Sequence, residues 1–215
     1  MARKDSARLA MSRKQRNALL AGLLLIVLPL AVVLDRQFMR PVRQAVRHAV
    51  WADDDYTRYH EKVFTVVRVV DGDTLDIGVP DGNRATTRIR LLGVDTPETH
   101  PPSQESMFFG PEAAAFVRRC VEGKQVKVVL DTVADHRDRY GRLLAVVVLP
   151  GGEVLNEQII RQGYGYADLR FEHSRYEAYI MLMESAIGEK SGLWKDVRRE
   201  QLPSWLRQKR PDLLR

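Results

Sequence analysis

The spacing of apolar positions shifts along the chain. Ala18 to Leu34 (ALLAGLLLIVLPLAVVL) is an uncharged run of 17 residues between Asn17 and Asp35. It is near the lower length limit for crossing a bilayer and longer than most buried helices. Residues 36 to about 60 are charged, with Ala45, Val46, Ala49, Val50 and Trp51 as their apolar positions, and predict a linker helix running into Asp53-Asp54-Asp55. From Val63 the texture becomes short β-branched runs. VFTVVRVV (63–70) leads into Asp71-Gly72, TLDIGV (74–79) alternates up to the turn Pro80-Asp81-Gly82-Asn83, and ATTRIRLL (85–92) returns as a third strand. Strands joined by such turns predict a meander.

Gly110-Pro111-Glu112 opens a helical stretch through Val121, with proline at the favoured first position and a carboxylate in the first turn; Gly123 stops it. QVKVVL (125–130) and LLAVVVL (143–149) read as two more strands, separated by the polar loop Asp131 to Arg142. EVLNEQIIRQ (153–162) reads as a helix closed by Gly163. A last helix is expected to start at Ser174, whose spacing to Glu177 makes a capping box, with Tyr176, Tyr179, Ile180, Met183 and Ile187 as its core face. Five strands with three helices outside them predict a mainly β fold, a five-stranded OB-type Greek-key barrel. The chain divides into a basic segment 1–17, a transmembrane signal-anchor or signal peptide 18–34, a linker helix 35–61, a barrel domain 62–195 and a basic tail 196–215. The tail, containing LPSWLRQKRPDLLR, reads as a solvated terminus.

Charge changes the picture by its location. The net +6 divides into +5 over residues 1–17, +4 over 198–215 and hence −3 over 18–197. The pI of 9.6 is therefore no evidence for a basic nucleic-acid-binding domain, and phosphate affinity has to come from a local constellation. The lone Cys120 excludes an internal disulfide and a cysteine-based zinc cluster, and the five histidines are scattered without a metal-ligand spacing. The basic cluster ahead of Ala18 outweighs Arg36, Arg40, Arg43 and Arg47 behind Leu34, which puts the N-terminus in the cytoplasm and the domain outside. No clean cleavage site follows the run, so an uncleaved anchor is expected, with a secreted form after signal cleavage as the alternative.

Residues 71–98 bring Asp73, Asp95, Glu98 and Arg90 within two strand lengths, and Asp138-Arg139-Tyr140-Gly141-Arg142 follows about forty residues later. Carboxylates able to seat a hard divalent cation, together with guanidinium groups, are the parts needed to hydrolyse a phosphodiester. Taken singly, Asp73 reads as a turn residue and Asp95 as the cap of the turn at Pro97. Taken in order, DGDT, RLLGVDTPE, FGPEA, DRYGR, NEQIIRQG and GLW make residues 63–194 resemble the staphylococcal nuclease (thermonuclease) family.

That resemblance implies a calcium-dependent endonuclease cutting single-stranded DNA or RNA at the 5′-O–P side, with no obligate protein partner. It implies Asp73, Asp95 and the main-chain carbonyl of Thr96 as calcium ligands, Glu98 as the group that activates water, and Arg90 and Arg142 as the clamp on the transition state. Arg139 and Tyr140 would hold a terminal phosphate, with Asp71 and Asp138 supporting the site from behind. Members of the family place two tyrosines after the RQG segment as base-stacking surfaces; Leu169 and Phe171 align there, with Tyr164 and Tyr166 close by. The rival to an enzyme is a catalytically silent OB-type module that binds nucleic acid or protein while tethered to the membrane. Such a module would be expected to lose carboxylates or arginines, and this chain keeps all five positions.

Overall fold

The computed structural model describes residues 54–99 and 106–214. The first described residues are helical over 54–59 and turn at 60–61, and the earlier part of the expected linker helix, like segments 1–17 and 18–34, lies outside the described residues. Among the described residues no helix is long and apolar enough to cross a membrane.

Seven strands form, five of them where the punctuation predicts: β1 (Lys62–Asp71), β2 (Thr74–Ile77), β3 (Thr87–Leu91), β4 (Val94–Asp95), β5 (Gln125–Val129), β6 (Leu143–Val148) and β7 (Tyr166–Ala167). Five of them close a barrel in the order β1-β2-β3-β6-β5, with β5 returning to β1. Four of its ladders are antiparallel; β3 and β6 run parallel, pairing Ile89 with Leu143 and Arg90 with Leu144. Closure leaves no sheet edge exposed within the barrel. The two-residue strands β4 and β7 pair on their own, Asp95 opposite Tyr166, and were not anticipated because two residues carry no periodicity.

Alternation then sorts the side chains. Val66, Leu75, Ile77, Ile89, Leu91, Val126, Val128, Leu143, Ala145 and Val147 are buried in the barrel interior. Each such side chain contributes roughly 1.5–3 kcal/mol of transfer free energy. On the outer face of β2, Asp76 is buried between Arg68 and Arg88, each with a nitrogen 2.8 Å from it. Burial alone would raise the pKa of Asp76, but hydrogen bonds from Arg88 and Arg68 overcome it and hold the carboxyl below the usual range.

Helix α1 (Gly110–Val121) forms as its opening Gly-Pro predicts, lays Val117 and Val121 into the core and ends before Gly123, whose φ of 74° suits glycine. Helix α2 (Leu155–Arg161) is bolted to the barrel by the buried Asn156. Its amide nitrogen donates to the Leu92 carbonyl at 2.9 Å, and its oxygen accepts from the Val147 amide at 3.0 Å. Helix α3 (Tyr176–Gly188) buries Tyr179, Met183 and Ala186. The expected capping box at its start does not form. The Ser174 hydroxyl and amide both donate to Asp131 from the β5–β6 loop, and the helix begins two residues later without a side-chain cap. A tertiary carboxylate has outcompeted the local cap.

The chain beyond Trp194 also departs from expectation. It continues through a single 3₁₀ turn at Arg199–Gln201 into a short helix, α4 (Ser204–Lys209), and buries Leu202, Leu206 and Leu213 in the common core. It is a packed element of the domain instead of a solvated terminus.

Candidate active site

Two bends bring the acidic residues together. A register shift in β1 between Val69 and Asp71 sets Asp71 opposite Thr74, so Asp71-Gly72-Asp73 forms the turn into β2. Beyond β3 and β4, the segment Thr96-Pro97-Glu98 folds back over that turn. The approach is close enough to require glycine, since a Cβ on Gly72 would lie 2.6 Å from the Thr96 hydroxyl and one on Gly110 would lie 2.6 Å from the Glu98 carbonyl oxygen. Asp71 staples the fold-back: its carboxylate accepts from the Thr99 hydroxyl at 2.6 Å and from the Gly72 amide at 2.9 Å.

Asp73 is buried and fully engaged. One of its oxygens accepts from the Thr96 amide (3.0 Å) and hydroxyl (3.2 Å). The other accepts from the Thr74 hydroxyl at 2.9 Å and pairs with Nη1 of Arg90. The other terminal nitrogen of Arg90, Nη2, lies 2.5 Å from Asp95 Oδ1, so one guanidinium bridges the two carboxylates. Burial raises the pKa of Asp73, with repulsion from Asp95 adding to it against the pull of Arg90. Burial disfavours charge on Arg90 too, yet Asp73 and Asp95 together hold its pKa above the ordinary arginine value.

Glu98 is exposed as a residue. Desolvation of its carboxyl, a hydrogen bond shared with Asp71 and repulsion from Asp73 and Asp71 nevertheless push its pKa up to about 7. That value suits a group that takes a proton near neutral pH.

The second cluster belongs to the turn ahead of β6. Asp138 accepts from the Tyr140 and Arg142 amides (2.9 and 3.0 Å) and from Arg142 Nε at 2.6 Å, which aims that guanidinium. Arg142 immediately precedes Leu143, the partner of Ile89. Alternation therefore puts Arg142 on the same outer face of the β3–β6 pair as Arg90. Arg139 lies over the exposed ring of Tyr140, 4.7 Å from its centroid, and donates to its hydroxyl at 2.6 Å. Of the aromatic positions after Gly163, Tyr164 stacks on Phe116 at 4.2 Å and Tyr166 is buried against Trp194. Leu169 is buried as well, whereas Phe171 is 64% exposed, with the Arg170 guanidinium carbon 5.7 Å from its ring centroid.

Among the described residues no three His, Cys, Asp or Glu side chains converge as a metal cage. The donor set that does converge is Asp73 and Asp95, with the Thr96 main chain beside them. A cation already bridges the two carboxylates, the Arg90 guanidinium. Two anionic oxygens brought within reach of one cation fit a hard divalent ion such as calcium, which takes carboxylate oxygens in flexible geometry.

Two residues at this site escaped the sequence reading. Arg170 Nη2 lies 3.1 Å from Asp95 Oδ1, and the Trp205 indole N–H donates to Asp95 Oδ2 at 2.9 Å. The Leu202, Leu206 and Leu213 spacing was the available signal that the segment carrying Trp205 packs onto the domain.

The family model described as staphylococcal nuclease homologue matches residues 88–196. A thermonuclease of Staphylococcus hyicus is 30% identical over 174 residues, covering 80% of this chain and 96% of that protein. A thermonuclease of Staphylococcus intermedius is 33% identical over 144 residues, 67% of this chain and 76% of that protein. A protein of Escherichia coli described as an uncharacterized endonuclease is 32% identical over 142 residues, 66% of this chain and 81% of its own length.

Proposed function

The chain belongs to the staphylococcal nuclease family, whose function is nucleolytic, and on that premise we propose that it is a calcium-dependent endonuclease hydrolysing DNA or RNA at the 5′-O–P bond. The observation that carries this reading is the convergence of Asp73 and Asp95 on one buried cation with the Glu98 carboxyl beside them. Calcium held by Asp73, Asp95 and the Thr96 carbonyl would supply Lewis-acid polarisation of a phosphate oxygen.

The chain's own groups do the rest. Glu98 takes a proton from water as the water oxygen bonds to phosphorus; the bond from phosphorus to the 5′ oxygen breaks and the leaving 5′ oxygen is protonated from solvent. The products are a 3′-phosphate and a 5′-hydroxyl end. Arg142, aimed by Asp138, donates to the phosphate oxygens as their charge grows, where a planar fork outperforms a point charge. Arg90, which pairs with Asp73 and Asp95 here, would be available to a phosphate oxygen if a metal ion took over the charge of those two carboxylates. Arg139 and Tyr140, exposed at the rim, hold a terminal phosphate of the bound strand. Residues 18–34 anchor the chain in a membrane with the nuclease domain on the extracytoplasmic side, a reading supported by the length of the run and the basic cluster before it.

Degradation of heat-denatured DNA with calcium, against the same reaction in excess chelator, tests the proposal. Cutting should require calcium, magnesium should substitute poorly because it demands stricter geometry, and Asp95→Ala should be inactive. Undiminished cutting in chelator would remove calcium from the reading.

A further inference from the structure

The C-terminal segment reaches into the acidic site. Helix α4 is held down by the buried Leu206, and the next residue toward its N-terminus, Trp205, is half-buried and turned to Asp95. The indole is fixed from two sides. It meets Tyr166 edge-on, with centroids 6.5 Å apart and planes at 84°, and Tyr166 is the residue paired with Asp95 across β4 and β7. The guanidinium carbon of Arg170 sits 4.6 Å from the indole, while its nitrogens are anchored to Asp168 at 2.8 and 2.7 Å.

Each carboxylate offers about four lone-pair sites. Those of Asp73 are all engaged, by Thr74, Arg90 and two donors of Thr96, so a metal cation would reach Asp73 only at the position the Arg90 guanidinium holds. On Asp95, Oδ1 meets Arg90 and Arg170, and Oδ2 meets the indole. Among the described residues this leaves one lone pair of Asp95 Oδ2 unfilled. Its direction is set by the indole bond at the same oxygen. Indole is a neutral donor that accepts nothing, so it turns the carboxylate without cancelling its charge. A guanidinium in the same place would orient Asp95 and also compete with an incoming cation.

We propose that Trp205 is a positioning residue for Asp95, its indole N–H fixing the carboxylate so that the remaining oxygen lone pair faces the cation, with Arg170 and Tyr166 holding the ring. This rests on the reading that Asp95 is a calcium ligand. Loss of an outer partner to a ligating group typically costs 10- to 100-fold in metal affinity. The C-terminal segment is then part of the metal centre, although it lies outside the run of matching motifs.

The full-length chain in detergent gives the test by titration calorimetry with calcium alone. Trp205→Phe keeps the ring against Tyr166 and Arg170 but deletes the N–H. Its calcium Kd should rise by about 10- to 100-fold, while its unfolding midpoint in chelator stays near that of the parent. Nuclear magnetic resonance of the unaltered protein, labelled at indole nitrogen, needs no variant. The Trp205 N–H signal, assigned through its contact with the Arg170 side chain, should shift with calcium at the calorimetric midpoint. Wild-type affinity in Trp205→Phe overturns the proposal, as does tighter binding, which would make the indole a competitor of the cation. An indole signal indifferent to calcium overturns it as well. Absence of calcium binding by the unaltered protein would instead strike the calcium reading itself, and so the two failures are distinguishable.

Discussion

Asp73→Asn separates the electrostatic role of the site from its chemistry. Asp73 accepts four donors while buried, and the amide of asparagine can accept on one side only. If its oxygen keeps the Thr96 pair, its NH₂ group faces Arg90. The charged hydrogen bond lost there is worth about 1.5–3 kcal/mol, and the donors left facing each other cost about 1–3 kcal/mol more. Relief of burial and of repulsion with Asp95, the causes that raise the Asp73 pKa, offsets part of that sum. A net loss of about 2–4 kcal/mol remains, equivalent to a fall in Tm on the order of 10 °C for a domain of this size. Asp95→Asn should be milder, about 1 kcal/mol, because Arg90 keeps Asp73 and Arg170 keeps Asp168. The Asp95 side chain is also more open, 14% against 3% exposed. The assay is thermal unfolding in chelator and then in calcium. The unaltered protein should gain about 2.7 kcal/mol at a calcium concentration one hundred times its Kd, and both variants should lose most of that gain. Asp73→Asn as stable as its parent in chelator, or stabilised by calcium as strongly, would refute the account of the two carboxylates as one cation-balanced unit.

Arg142→Ala should lower kcat on the order of 10³-fold with little change in substrate binding, read from steady-state cleavage beside single-strand binding. Asp138→Ala leaves Arg142 charged but unaimed and should cost about 10- to 100-fold in the same assay. The Glu98 carboxyl should titrate near about 7 in metal-free protein by carbon resonance, and lower once calcium is added; an ordinary glutamate midpoint without calcium would contradict the crowding by Asp71 and Asp73. Because that pKa lies above its unfolded value of 4.5, the folded chain holds the extra proton across this window. The group's contribution to stability therefore declines as pH rises from about 4.5 to about 7, while cutting increases over the upper part of the same range. The full-length chain should stay with membranes through high-salt washing if residues 18–34 anchor it, since apolar burial is not screened by salt; recovery of a soluble form beginning after residue 34 would favour signal cleavage.

The barrel was legible because its strands carry their own punctuation. Pro80-Asp81-Gly82-Asn83 fixes the β2–β3 turn, and alternation along Thr87–Leu91 puts Ile89 inside and Arg88 and Arg90 outside. The ligand candidates were legible for a related reason: Asp-Gly-Asp and the Val-Asp-Thr-Pro-Glu segment sit where turns have to be, so their side chains project from strand ends. What stayed hidden was decided by partners distant in sequence. Ser174 and Glu177 have capping-box spacing, but Asp131, forty-three residues earlier, takes the serine's bonds. Tyr164 and Tyr166 carry no mark that distinguishes a stacking surface from core, and packing assigned both to core while leaving Phe171 outside.

The tail shows how a charge average conceals a pattern. Six basic residues against two acidic ones over 198–215 suggest a solvated end, yet Leu202, Leu206 and Leu213 recur at intervals of four and seven. Only Leu206 lies within α4, yet all three are buried, Leu202 just ahead of the helix and Leu213 in the turn after it. The charges do not oppose the burial because they find partners: Arg210 pairs with Glu184 and Asp212, and Arg199 donates to the Leu213 carbonyl. Once the leucines fix the segment, Trp205 stands beside Leu206 and its N–H has Asp95 as acceptor. The pattern of the apolar positions, weighed apart from the charge between them, carried the information that the net charge obscured.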